Sequence, residues 1–189
     1  KKRKSFVKLR EPGGSYFSEQ IRKLLLNRKL NINNKTDLML FYAARSENFE
    51  KIIKKNYKKK IILIDRFTDS TVAYQHYGMG VNKNMIISLN KILLNKIKPD
   101  YTFLNTVNMR NLRLRLKKRK NRNRYDNFNH IFYNKVQKGY IKLSKNKKKY
   151  FVVDSNKKIS ENKYLIIKQV KKRLLIWSQH QSHKLNYMH

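Results

Sequence analysis

Cysteine is missing from this sequence, and its absence excludes disulfides and thiolate metal sites and fits a cytoplasmic protein. Glycine is scarce, with Gly13, Gly14, Gly78, Gly80 and Gly139 the only five, so backbone that needs positive φ or close approach is confined to few places. No apolar run approaches the length of a membrane span. The basic start Lys1-Lys2-Arg3-Lys4 leads into too short an apolar stretch for a signal peptide. Acidic residues are rare as well: 11 stand against 47 lysines and arginines, for a formal charge of +36 over 189 residues.

So large a positive charge suggests a nucleic-acid binder. Its distribution argues otherwise, because residues 1–63 hold 18 basic residues, 64–126 hold 14 and 127–189 hold 15, with no basic arm on a neutral body. Enrichment in Lys, Asn and Ile together is what drift in an A/T-biased genome produces. The field still attracts phosphorylated ligands.

What is present reads as alternating strands and helices. Four β-rich runs, 5–9, 61–65, 101–107 and 150–154, have the length and composition of strands buried in a parallel sheet. Between them lie helix-length segments at 18–26, 38–57, 84–96, 109–119, 128–143 and 161–177, with Thr36-Asp37 placed as the N-terminal cap of the second. The expectation is an α/β fold with a mostly parallel sheet flanked by helices, in one domain over residues 1–177. Residues 117–126 form a basic loop within it, and 178–189 a polar tail. That tail carries His180 and His183 without cysteine or carboxylate neighbours, which gives no metal-site pattern.

The densest chemistry lies in residues 65–80. Asp65 ends the apolar run Ile61-Ile62-Leu63-Ile64, at the strand end where ligands bind in α/β sheets. It can hold Mg²⁺ directly or through water, or merely cap a helix. Arg66 beside it offers a cation for an anion, and Ser70, Thr71, Tyr74 and Gln75 follow on adjoining helix faces. Phe41 and Arg45, four residues apart, can stack on a base and bond to its edge, or serve as a core ring with a snorkelling arginine. Arg119, Arg122 and Arg124 in the basic loop can close over a transferring phosphoryl group, or be a solvated charge run. Arg10-Glu11-Pro12-Gly13-Gly14 is a rigid turn after the first strand.

In this order the segments 10–14, 38–45, 65–80, 99–104, 123–126 and 136–143 resemble bacterial thymidylate kinase, a nucleoside-monophosphate kinase of the P-loop class, over roughly residues 6–155. The resemblance implies phosphoryl transfer from ATP to dTMP, giving dTDP, with Mg²⁺ bridging the phosphates and a homodimeric enzyme. It implies that Phe41 stacks on thymine and that Arg45 and Thr71 bond to its edge. Arg66 would grip the dTMP phosphate, Tyr74 pack on the deoxyribose, and Gln75, with Pro12 and Ser70 nearby, position the nucleotide. Asp65 would support Mg²⁺, and Arg119, Arg122 or Arg124 would reach ATP from the lid. The rivals are another P-loop nucleotide or deoxynucleoside kinase and a non-enzymatic basic nucleic-acid-binding protein.

The sequence departs from the family at Asn105-Thr106 and Asn123, where the family carries aspartate at the strand end and in the lid. The larger departure is the missing phosphate loop, since no glycine opens a Gly-x-x-x-x-Gly-Lys-Ser/Thr pattern. In the family that loop precedes the first strand seen here, and its strand is central in the order 2-3-1-4-5. The expectation is therefore an N-terminally truncated kinase lacking roughly 30 residues, about a βαβ unit without its second strand. Two half-sheets with unpaired inner edges would remain, and the chain alone would neither bind ATP productively nor fold stably.

Overall fold

The computed structural model describes residues 5–185, with side chains described through residue 176. β1 (Phe6–Arg10) is followed by α1 (Tyr16–Leu26) and α2 (Asn34–Asn48), a π-helical stretch at Phe49–Ile53, and the short α3 (Lys54–Asn56). β2 (Ile61–Asp65) then leads through α4 (Thr68–Thr71) into a second π-helical stretch, Val72–Gly78, and on to α5 (Lys83–Leu94). β3 (Thr102–Thr106), α6 (Met109–Lys118), a 3-10 turn at Arg124–Asn127, α7 (His130–Leu143), β4 (Tyr150–Asp154) and α8 (Ile159–Leu185) complete the order.

β1 pairs with β2 in parallel, from Phe6 opposite Ile61 to Arg10 opposite Asp65. β3 pairs with β4 in parallel, from Thr102 opposite Tyr150 to Thr106 opposite Asp154. Parallel neighbours require crossover connections, and helices supply both, which gives the expected α/β class. The strands form two two-stranded sheets rather than one. Apolar positions expected to be buried are accordingly open: Leu63 on β2 is 48% exposed and Val152 on β4 is 39% exposed.

Helix boundaries follow local polar chemistry. The cap before α2 is Asn33, whose side chain accepts from the Thr36 amide at 2.9 Å, so Thr36-Asp37 is not the cap. Asp37 instead lies one turn inside the helix and is fully buried. Lys117 and Lys118, expected in the basic loop, finish α6, and residues 178–185 of the expected tail continue α8. His180 and His183 lie beyond the described side chains.

The core is divided among helix faces. Leu38 and Tyr42 of α2 pack with Val72, Val81 and Ile86. Leu9 of β1 packs with Phe49, Ile53 and Leu94, while Ile21 and Leu25 of α1 meet Ala44. Fully burying a side chain such as Leu25, Leu38 or Ile86 contributes roughly 1.5–3 kcal/mol. α7 lies against the second π-helical stretch through Ala73, Phe132 and Val136. This approach depends on two glycines, since a Cβ on Gly139 would overlap the Tyr77 ring and one on Gly78 would overlap Phe132.

Candidate active site

The turn after β1 is built by a residue that the sequence did not single out. Gly13 and Gly14 sit at φ +124° and +117°, conformations that side chains rarely adopt. Buried Asn48 at the end of α2 donates to the Gly13 carbonyl at 2.6 Å and accepts from the Ser15 amide at 3.0 Å. The Glu11 amide donates to the Asp65 carbonyl at 2.9 Å, so the turn is fixed to the end of β2 as well. Arg22 of α1 closes the other side by donating to the Pro12 carbonyl at 2.7 Å.

That turn delivers Glu11 to Arg45. The Arg45 Nε–H donates to Glu11 Oε2 at 2.8 Å, and Nη2 lies 2.8 Å from the same oxygen and donates to Thr71 Oγ1 at 2.9 Å. The guanidinium also lies over the rings of Tyr42 and Phe67, at 5.1 and 5.2 Å. Burial raises the Glu11 pKa, and the adjacent Arg45 only partly offsets it. Two buried atoms of this pair, Arg45 Nη1 and Glu11 Oε1, have no hydrogen-bond partner. Buried polar atoms are almost always satisfied, so such a pair points to a place completed by something else.

A second buried carboxylate, Asp37, organises the opposite wall. Gln75 Nε2 donates to its Oδ1 at 2.8 Å, the Tyr125 hydroxyl donates to Oδ2 at 2.7 Å, and Arg124 is ion-paired to Oδ2. Arg124 also donates to the Leu25 carbonyl at 3.1 Å. The Tyr125 ring makes edge contacts with Phe41 and Tyr74, at 6.3 and 6.1 Å between centroids.

Arg66 holds a left-handed backbone conformation, φ 63°, immediately after β2. Strain of this kind in a residue with a side chain clusters at functional positions. Its guanidinium lies 5.0 Å over the Tyr74 ring. Arg66 keeps solvent access, so the crowding that works against its charge is outweighed by the nearby oxygens of Tyr74, Tyr140 and Asp65, and its pKa is raised. Ser70 accepts from the Tyr140 hydroxyl at 2.7 Å. Burial also pushes the Tyr42 and Tyr140 hydroxyls up to about 12.

These groups surround one cavity of about 260 Å³. Of the expected site residues, Pro12, Phe41, Arg45, Arg66, Ser70, Thr71, Tyr74, Gln75 and Arg119 line it. Arg119 reaches it while paired with Asp126 at 2.7 Å. Asp65, Arg122 and Arg124 are not among its lining residues: Asp65 ends β2 with an exposed side chain, Arg122 is exposed in the loop, and Arg124 is committed to Asp37. Arg22, Tyr125 and Tyr133 also line the cavity and were not anticipated. Their roles arise from tertiary contacts that local spacing does not encode.

The family model described as thymidylate kinase matches residues 1–166. The chain belongs to the thymidylate kinase family. Among family members, it is 36% identical to the thymidylate kinase of Thermosipho africanus, over 89% of this chain and 84% of that protein. It is 40% identical to the thymidylate kinase of a Wolbachia from Brugia malayi, over 75% of this chain and 67% of that one. The crystal structure of thymidylate kinase from Ehrlichia chaffeensis superposes with a TM-score of 0.70 at 32% identity, covering 88% of this chain and 80% of that one. The fold is thus that of a P-loop nucleoside-monophosphate kinase, although the strands here stand as two pairs.

Proposed function

We propose that the protein phosphorylates dTMP to dTDP with ATP as donor, and that the cavity lined by Phe41, Arg45, Thr71, Tyr74 and Gln75 receives dTMP. The observation that carries this is the unpartnered buried Nη1 of Arg45, a residue that lines the same cavity as the aromatic Phe41. A base stacked on Phe41 with a carbonyl at its edge would satisfy that donor, whereas an apolar ligand would leave it unpaired. Tyr74 packs the sugar, and Arg66 meets the monophosphate. Pro12 and Ser70 complete the lining.

Transfer of a phosphoryl group is mostly positioning and charge stabilisation. Arg119 faces the cavity and is the basic-loop residue best placed to neutralise charge there, while Arg124 serves the wall through Asp37 and Arg122 stays in the loop. No cluster of three carboxylate or histidine side chains occurs among the described residues. Mg²⁺ keeps several waters and binds through one or two carboxylates plus substrate phosphates, so the single exposed Asp65 fits a water-mediated role in holding it. The ion, when bound, would screen the negative charge of the phosphates.

The cradle for the ATP phosphates is the remaining element of this reading. The Gly-x-x-x-x-Gly-Lys-Ser/Thr pattern that would form it does not occur in the 189 residues, and the strands stand in two pairs with Leu63 and Val152 exposed. A homodimer in the cytoplasm belongs to the same reading and is carried by the family resemblance.

The test uses the full-length protein. ADP release should depend on dTMP and be much weaker with dUMP, dCMP or thymidine. Phe41→Ala should weaken dTMP binding by about 5- to 150-fold, the equivalent of 1–3 kcal/mol of stacking. Unchanged dTMP affinity would remove the cavity from this role. Salt-sensitive binding to DNA that dominates over dTMP would favour the nucleic-acid reading instead.

A further inference from the structure

Asp37 lies outside the cavity, yet it touches what the cavity is made of. Its side chain is fully buried on α2, and its two oxygens accept from three residues on two other segments: Gln75 in the second π-helical stretch, and Arg124 and Tyr125 at the 3-10 turn. Arg124 continues the connection to the Leu25 carbonyl at the end of α1. Of these residues, Gln75 and Tyr125 line the cavity, whereas Asp37 and Arg124 do not.

The chemistry of the Gln75 contact fixes an orientation. A carboxylate paired with an arginine accepts hydrogen bonds and does not donate, so the group facing Asp37 must be the amide nitrogen, 2.8 Å away. Gln75 then keeps its carbonyl oxygen as the group available to a ligand. A base offering a ring N–H, as thymine and uracil do at N3, satisfies that oxygen. Cytosine presents a bare nitrogen at N3 and sets two acceptors against each other.

We infer that Asp37 is a positioning residue for base selection, holding the Gln75 amide with its oxygen toward the cavity and pinning the Arg124–Tyr125 turn against α1 and α2. This rests on the reading of the cavity as a dTMP site. A solely structural Asp37 would affect stability and leave base preference alone.

Asp37→Asn separates the two. Arg124 draws the introduced amide's oxygen toward itself, which turns its nitrogen toward Gln75 and makes the Gln75 amide flip. The expected result in the full-length protein is a fall of at least about tenfold in the ratio of dTMP to dCMP affinity by calorimetry. Cleavage by trypsin within residues 117–124 should become several-fold faster. The double variant Asp37→Asn with Gln75→Glu restores an acceptor facing the cavity and should recover the preference for dTMP. A folded Asp37→Asn protein with an unchanged ratio overturns the proposal. Equal binding of dTMP and dCMP by the unsubstituted protein overturns the thymidylate reading together with this role, a distinct outcome. If Asp37→Asn fails to fold, the Gln75 side-chain amide protons of the unsubstituted protein decide by nuclear magnetic resonance: slow exchange is expected, and rapid exchange overturns the fixed orientation.

Discussion

Arg45 carries two duties that pull against each other, since it is ion-paired with Glu11 and bonded to Thr71 while one of its nitrogens stays unpartnered. A buried pair gains little over apolar packing, but removing one partner leaves the other charge stranded. Arg45→Ala should therefore destabilise the fold by about 3–5 kcal/mol in denaturant titrations, in addition to weakening dTMP binding. Adding Glu11→Gln should recover a large part of the stability and none of the binding. Equal losses in the single and double variants would mean that the stranded carboxylate is not the cause.

At the level of elements, the contact between α7 and the second π-helical stretch is set by glycine rather than by large side chains. Gly139→Ala should destabilise by about 1–3 kcal/mol, the usual cost of overpacking, because its methyl would meet the Tyr77 ring. Tyr77→Leu in the same chain should relieve much of it, as thermal melts would show. Strands were legible to within a residue, because Ile61-Ile62-Leu63-Ile64 and Tyr150-Phe151-Val152-Val153 can hardly be anything else. The cap at Asn33 was not, since Asn33, Asn34, Thr36 and Asp37 are all chemically able to cap, and only the buried contacts of Asp37 remove it from the choice. The π-helical turns escaped too, because insertion of one residue per turn leaves side chains four apart still roughly aligned. The cavity was legible where neighbours on one helix supply it, as with Phe41 and Arg45. It was illegible where partners come from far along the chain, as with Asn48 on the glycine turn or Arg124, which lies 87 residues from Asp37.

Across the whole molecule, the cavity draws on both sheet units. Glu11, Pro12 and Arg66 adjoin β1 and β2, whereas Leu112, Leu116, Arg119, Tyr125 and Tyr133 come from the crossover that joins β3 to β4. A nucleotide held there touches both groups, and ligand that binds only the folded form stabilises by mass action, about 2.7 kcal/mol at a hundred times its dissociation constant. Hydrogen exchange with dTMP present should slow in β1–β2 and β3–β4 together, and slowing in one pair alone would mean that the halves open independently. The cavity thus gives the acceptor nucleotide a second office: residues from distant parts of the chain converge on one small molecule, so that substrate supply would set the lifetime of the folded catalyst as well as its rate.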